Sequence, residues 1–361
     1  MAIAAMNLAG CWQNHMSDAD TDIEERAVSS ILRTPCPGTS SSCIAVIFDR
    51  ASGFLAITTK FSDISSVTPP ETRRGWRNSK HAAEYLLLRG LVGLLHILPL
   101  DFGSWAMGSM WRLIAPRLRR HERALQHLAA AYPTMSAAEI DALARTMWMH
   151  LGRTFAESLM VDRIVKAGRV EDASGPLVET VKASGKGVVF VSLHTGNWEL
   201  VVIPTVTSGI KVAGVYQRMK NPKVDDYVAL VRRDRYPRGL FVKGANVGKK
   251  LLRIVRSGGA IALLADLRDR NGLSVPFFGR PAPSTTFPAL LARGSDALLV
   301  AARVIRTGGV RFRIEAEILD VPRTDDRDAD VDEATRRTHQ LFEKWVREYP
   351  EQWMWAHRRW G

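Results

Sequence analysis

From residue 187 onward, short apolar runs alternate with stretches of helical period. Gly187–Leu193, Lys211–Tyr216, Gly259–Ala265 and Leu298–Val304 are mainly apolar and of strand length. Runs of this kind predict buried strands. Between them, Pro222–Arg233, Ala245–Arg256 and Phe287–Ala292 read as helices, Arg311–Leu319 adds a strand, and Asp330–Tyr349 reads as a last helix. The alternation predicts an α/β fold with a central mixed sheet flanked by helices. Upstream, Ser136-Ala-Ala-Glu139 is a capping-box sequence. It opens a helix to about Met160, with Ile140, Leu143, Met147, Leu151 and Phe155 on one face and Trp148 as core.

The N-terminal part follows a different pattern. Ala82–Leu100 is nearly long enough to span a bilayer, which takes about 20 mainly apolar residues. It carries Glu84, Arg89 and His96 and ends at Pro99, so a membrane-associating helix lying in the interface or inserted at an angle is expected; a buried core helix is the alternative. Residues 1–76 hold all three cysteines, Cys11, Cys36 and Cys43, a Ser-rich run and scattered prolines, without sustained periodicity. No signal-peptide pattern is present. The division expected is a disordered extension or misassigned start over 1–76, a membrane-associating region over 77–110, and a catalytic domain over 111–361. The short run Ile44–Phe48 is left unassigned.

Charge narrows the partners. Lys and Arg number 50 against 37 Asp and Glu, a formal net charge of +13. Such a surface attracts nucleic acid, anionic headgroups or an acidic protein without choosing among them. The basic run Arg112, Arg117, Arg119, Arg120, His121 and Arg123 follows the apolar stretch, a placement that suits anionic lipid and equally a solvated helix face. Downstream of Cys43 no disulfide or thiolate metal site is possible, so the main body needs no oxidising compartment and a cytoplasmic face is the simpler assumption.

The chemistry concentrates in G-V-V-F-V-S-L-H-T-G-N-W-E-L. His194 follows a predicted buried strand, where open α/β sheets bind ligands. Gly196 and Asn197 allow a turn, and Trp198–Ile203 can start a helix, bringing His194 and Glu199 to one cleft. Imidazole titrates near neutrality and can take a proton from an attacking hydroxyl. A carboxylate on its other nitrogen fixes the tautomer; Glu199 is the expected partner. Backbone N–H groups of the T-G-N turn are the expected stabilisers of an oxyanion. A dinucleotide glycine fingerprint, H-E-x-x-H and G-x-S-x-G are absent, Gly244–Lys250 departs from the P-loop spacing, and no cluster suggests a metal.

Together with V-Y-Q-R-M-K-N-P, L-L-A-D-L-R-D, V-P-F-F-G-R-P-A-P-S-T-T and Y-P-E-Q-W-M-W-A-H-R-R-W, the H-T-G-N-W-E stretch resembles the late acyltransferases of lipid A biosynthesis from about His81 to Trp360. The resemblance implies transfer of a fatty acyl chain from acyl carrier protein to a hydroxyl of a phosphorylated lipid A precursor, at the cytoplasmic face of the cell inner membrane. It implies no cofactor and no nucleic acid. His194 would be the base and Glu199 its partner, while Arg232, Asp266 and Asn197 would bind substrate. Arg232 falls eleven positions beyond Asn221, with Arg233 as alternative; it suits phosphate or an ion pair. Asp266 would orient a hydroxyl, pair with Arg232 or cap its strand. Phe277–Arg280 would form a loop beside the acyl site. Where the family has Y-R-P, this chain reads Tyr216-Gln217-Arg218-Met219. Alternative readings are a glycerolipid or other lipid acyltransferase, disfavoured by Glu199 and by L-A-D-L-R-D in place of a G-T-R-S-like motif, and a non-catalytic basic membrane-binding protein.

Overall fold

The computed structural model describes residues 46–48, 55–57, 71–244 and 247–360. Its elements are β1 (Val46–Phe48), β2 (Leu55–Ile57), α1 (Glu71–Ile97), α2 (Leu100–Ile114), α3 (Arg119–Ala131), α4 (Ala137–Ser158), α5 (Val161–Lys166), β3 (Val170–Asp172), α6 (Gly175–Ser184) and β4 (Val188–Ser192). There follow α7 (Ile203–Thr207), β5 (Val212–Tyr216), α8 (Pro222–Arg232), β6 (Leu240–Val242), α9 (Val247–Arg256), β7 (Ala260–Leu264), β8 (Arg268–Phe277) and β9 (Arg280–Ser284). The chain closes with α10 (Phe287–Gly294), β10 (Leu298–Gly308), β11 (Arg311–Leu319) and α11 (Arg327–Glu348), before a tail from Pro350.

Seven strands form one sheet in the order β3-β11-β10-β4-β7-β5-β6. Only β10 and β11 run antiparallel; the other pairings are parallel, which makes the sheet mixed as expected. The apolar runs are continuous because both faces are covered. Val189, Val191, Ala213, Ile261, Leu299 and Ala301 face one core with Leu251 of α9, Leu291 of α10 and Phe342 of α11. The alternate positions Val188, Phe190, Val212, Ala262 and Val300 face a second core with Val181 of α6 and Val202. Each strand thus supplies both layers by its period of two.

Local signals set several boundaries. The Ser136 hydroxyl accepts the Glu139 N–H at 3.3 Å and the Glu139 carboxylate accepts the Ser136 N–H at 2.7 Å, closing the capping box of α4. Phe278 and Gly279 both take positive φ, 52° and 70°, and turn β8 into β9. The predicted loop at Phe277–Arg280 is therefore the tip of a hairpin, with Phe277 and Phe278 buried.

Val46–Phe48 is a strand paired antiparallel with Leu55–Ile57, and α1 begins at Glu71. Otherwise the expected extension over 1–76 lies outside the described residues. No described helix is long and apolar enough to cross a membrane. Instead α1 is two-sided. Leu88 and Val92 pack against Met219 and Val224, and Leu95 joins the main core. Leu86, Leu94 and Ile97 remain exposed, as do Phe102, Trp105 and Leu113 on α2.

Candidate active site

The parallel pairing of β4 with β7 builds the centre of the site. Ser192 lies beside Leu264 in register. Two residues further along each strand come His194 and Asp266. Asp266 Oδ1 lies 2.7 Å from His194 Nδ1. Asp266 Oδ2 accepts the His194 backbone N–H at 2.8 Å and the Trp353 indole N–H at 2.9 Å. Both residues are fully buried. Burial would raise the Asp266 carboxyl; the His194 ring, its hydrogen bonds and His357 outweigh that and hold it well below the usual carboxylate range. An ionised Asp266 can only accept a hydrogen bond from Nδ1–H, which in the neutral form of the ring leaves Nε2 as the acceptor. Nε2 has no hydrogen-bond partner among the described residues. His194 borders a small cavity of about 10 Å³.

This corrects the expectation that Glu199 holds the imidazole: Asp266 does. The Glu199 carboxylate instead accepts a forked pair of bonds from Arg232, one of them at 2.9 Å from Nε, and has Arg235 at 3.6 Å. Burial pushes the Glu199 carboxyl up, but Arg232 and Arg235 prevail and lower it. Arg232, Glu199 and Arg235 are all nearly enclosed. Asp266 makes no pair with Arg232. Of the readings open for Arg232, the structure realises the ion pair.

Asn197, expected to touch substrate, turns into the protein. It is fully buried, its Oδ1 accepts the Glu199 N–H at 3.3 Å, and its amide reaches Glu157 Oε2 at 3.5 Å. It caps the tight turn Trp198–Leu200, which stands where a helix was expected to begin. The turn before it is held at every residue. Gly196 has φ of 54°, and a Cβ there would come 2.2 Å from the Val304 carbonyl oxygen, so only glycine fits. Its N–H donates to the Gln352 carbonyl at 3.2 Å, and the Thr195 N–H donates to Leu193 at 2.8 Å. The expected oxyanion donors are therefore mostly spent. The Asn197 N–H is the one in T-G-N that meets no backbone oxygen among the described residues.

Beneath the turn lies a network that sequence reasoning missed. Arg306 grips Glu157 with two bonds of 2.5 and 2.7 Å, both side chains being buried. Ser104 adds a 2.6 Å bond to Glu157, and Thr154 donates to the Gly196 carbonyl at 2.6 Å. Gln352 ties Arg306 to the tail through both ends of its amide. The tail carries its own signal: it holds three tryptophans, Trp353, Trp355 and Trp360, and all three are buried.

An apolar cavity of about 110 Å³ adjoins the site, walled by Phe190, Val202, Val215, Leu240 and Ala262 and bordered by Glu199 and Arg232. Trp198 and Met354 line both this cavity and the small one at His194. The Trp198 ring meets the His194 ring edge to face at 5.0 Å. A hydroxyl brought to Nε2 would thus meet a base with a fixed tautomer beside an apolar chamber.

Residues 75–361 match the family model of bacterial lipid A biosynthesis acyltransferases. The chain is 26% identical over 278 residues to the lipid A biosynthesis palmitoleoyltransferase of Escherichia coli strain K12, covering 72% of this chain and 84% of that protein. The lipid A biosynthesis acyltransferase of Shigella flexneri shows the same identity and coverage.

Proposed function

The chain belongs to the bacterial lipid A biosynthesis acyltransferases, and from that premise we propose that it moves a fatty acyl chain from acyl carrier protein to a hydroxyl of a phosphorylated lipid A precursor at the cytoplasmic face of the inner membrane. His194 is the general base. As the acceptor oxygen attacks the thioester carbonyl, its proton passes to His194 Nε2. Asp266 keeps the imidazole in the accepting tautomer and stabilises the imidazolium. The tetrahedral oxyanion collapses, the carbon–sulfur bond breaks, and the leaving thiolate takes the proton back from Nε2. The products are an ester and a free thiol. The Asn197 N–H is the oxyanion donor the turn retains. The Glu199–Arg232 pair flanks the cavity that receives the acyl chain. Exposed apolar side chains on α1 and α2 and the basic surface suit attachment to an anionic bilayer and docking of an acidic carrier.

The observation that carries this reading is the imidazole itself: held on Nδ1 by an ionised aspartate and, among the described residues, without a hydrogen-bond partner on Nε2. General base catalysis contributes roughly 10²- to 10⁴-fold. Replacing His194 by Ala should therefore cut turnover of acyl carrier thioester with lipid A precursor by about that factor. Release of free thiol and mass spectrometry of the lipid measure it. Wild-type turnover in His194→Ala would sink the mechanism.

A further inference from the structure

A second apolar cleft shares the Glu199–Arg232 pair with the 110 Å³ cavity. Leu88 of α1, Phe155 near the end of α4, and Val224, Val228 and Val231 of α8 wall it. Glu199 and Arg232 border both spaces. The cleft's charged groups are these two and Arg235, whose Nη2 lies 3.6 Å from the Glu199 carboxylate while its Nε and Nη1 have no hydrogen-bond partner among the described residues. Beyond them the walls offer little that would favour water. The α8 wall is braced: the Tyr227 ring packs edge to face on Tyr85 at 6.4 Å, and Arg89 lies over it at 5.0 Å. The Asn221 amide, at the head of α8, reaches back to the His81 carbonyl and the Glu84 carboxylate of α1.

Acyl transfer between lipids has two apolar participants, the chain being moved and the chains of the acceptor. Two apolar spaces that meet at one ion pair match that requirement. We infer that the cleft between α1, α4 and α8 seats an acyl chain of the lipid acceptor, while the larger cavity takes the chain being transferred. This rests on the acyl-transfer reading. The assignment of each space follows from its surroundings. The larger cavity is lined by Ser192, Trp198 and Met354, next to His194, where the thioester carbonyl must come. The cleft is walled by α1, whose outer side exposes Leu86, Leu94 and Ile97. Leu230, beside Val231, is also exposed. An amphiphile leaving a bilayer would meet these exposed apolar side chains, with the Arg89 guanidinium among them, on the way to the cleft. With one chain anchored in the cleft, the acceptor's reacting hydroxyl would be held near the ion pair.

The test uses the full chain. A lipid A precursor with a photoreactive diazirine on an acyl chain is crosslinked to the His194→Ala variant, so that the readout does not need turnover. Adducts on the α8 peptide containing Tyr227 and Val228 are expected. Adducts confined to the cavity peptides around Phe190 and Val202, or to residues 1–70, would overturn the assignment. In the active enzyme, Val228→Trp should raise the KM for the precursor at least tenfold and leave the preferred donor chain length as in wild type. Val202→Phe should do the reverse, shifting the preference to shorter donors. A Val228→Trp variant that changes donor preference with its acceptor KM intact, or changes neither, would also overturn it. If wild-type protein releases no thiol from any acyl carrier thioester, the acyl-transfer reading fails, and the crosslink map still reports separately on the cleft.

Discussion

Two buried arginine–carboxylate pairs stand on either side of the H-T-G-N-W-E turn, and they have been put to opposite uses. Below it, Glu157 and Arg306 are sealed, with side-chain exposures of 0% and 2%. The protein spends their hydrogen bonds: Ser104 and Asn197 reach Glu157, while Arg306 also reaches the Gly309 carbonyl, Thr154 and His150. Above it, Glu199 and Arg232 are also enclosed but form a shared wall of two apolar spaces. The chemistry of the two pairs is the same, and the difference lies in what surrounds them. A pair surrounded by donors and acceptors locks backbone in place. A pair bordered by apolar space forms a polar edge on that space. The lower pair is a floor that shapes the turn carrying His194, and the upper pair belongs to the mouth.

The sharpest way to break this contrast is to remove a floor residue. Glu157→Ala leaves the Arg306 guanidinium buried without its counter-charge, which typically costs about 3–5 kcal/mol. A urea melt should show that loss. A variant with wild-type stability would mean that the floor pair holds nothing. At the centre, Asp266→Asn should keep the fold and cost roughly 10²-fold or more in kcat, because an amide can donate to Nδ1 and push the imidazole proton onto Nε2. Unchanged kcat would show that Asp266 does not set the tautomer. At the mouth, Arg232→Lys keeps the charge and loses the fork on Glu199. About a tenfold fall in kcat/KM is expected, with a smaller stability loss than Glu157→Ala. If its melt matches that of Glu157→Ala and its activity survives, the two pairs are equivalent and the contrast fails.

The sheet was readable because its strands are covered on both faces: Val188–Ser192 and Ala260–Leu264 stand out as apolar runs whatever their neighbours are. Elements whose polarity is mixed did not stand out. β8 reads R-D-R-N-G-L-S-V-P-F and is half-exposed along most of its length, so it lacks the run of a buried strand. α6 is short and mostly exposed, and β6 has three residues. His194 was legible from its place after a strand. Its carboxylate was not, because Glu199 is near in sequence while Asp266 becomes near only through the β4–β7 register. The floor pair was invisible for the same reason: Glu157 and Arg306 lie on a helix and a strand distant in sequence, and each alone looks like an ordinary charged residue. The tail motif was visible, but its work, an indole N–H on Asp266 and backbone bonds to the His194 turn, depends on where the sheet places it.

Acid separates the tail's surroundings from the mouth more gently. Burial pushes His339 and His357 down to about 3, so both stay neutral in the folded protein. The unfolded chain takes up these protons near pH 6.5, before the folded chain does. The stability they allow is complete above pH 6.5 and is lost as pH falls toward about 3. Each histidine contributes a slope of about 1.4 kcal/mol per pH unit in that window. The mouth responds elsewhere: Glu199 is held below its ordinary value, so its contribution is intact above about pH 4.5 and fades only under it. His357 packs edge to face on Trp353 at 5.0 Å and neither ring nitrogen has a hydrogen-bond partner among the described residues. His357→Phe should therefore fit the same space and remove one share of the slope. Urea midpoints at pH 7, 6 and 5 should converge on a flatter line in the variant, by about 1.4 kcal/mol per unit at the acid end. An unchanged slope would mean that His357 already takes its proton in the folded state, and that the packing around the tail is less tightly closed than its burial implies.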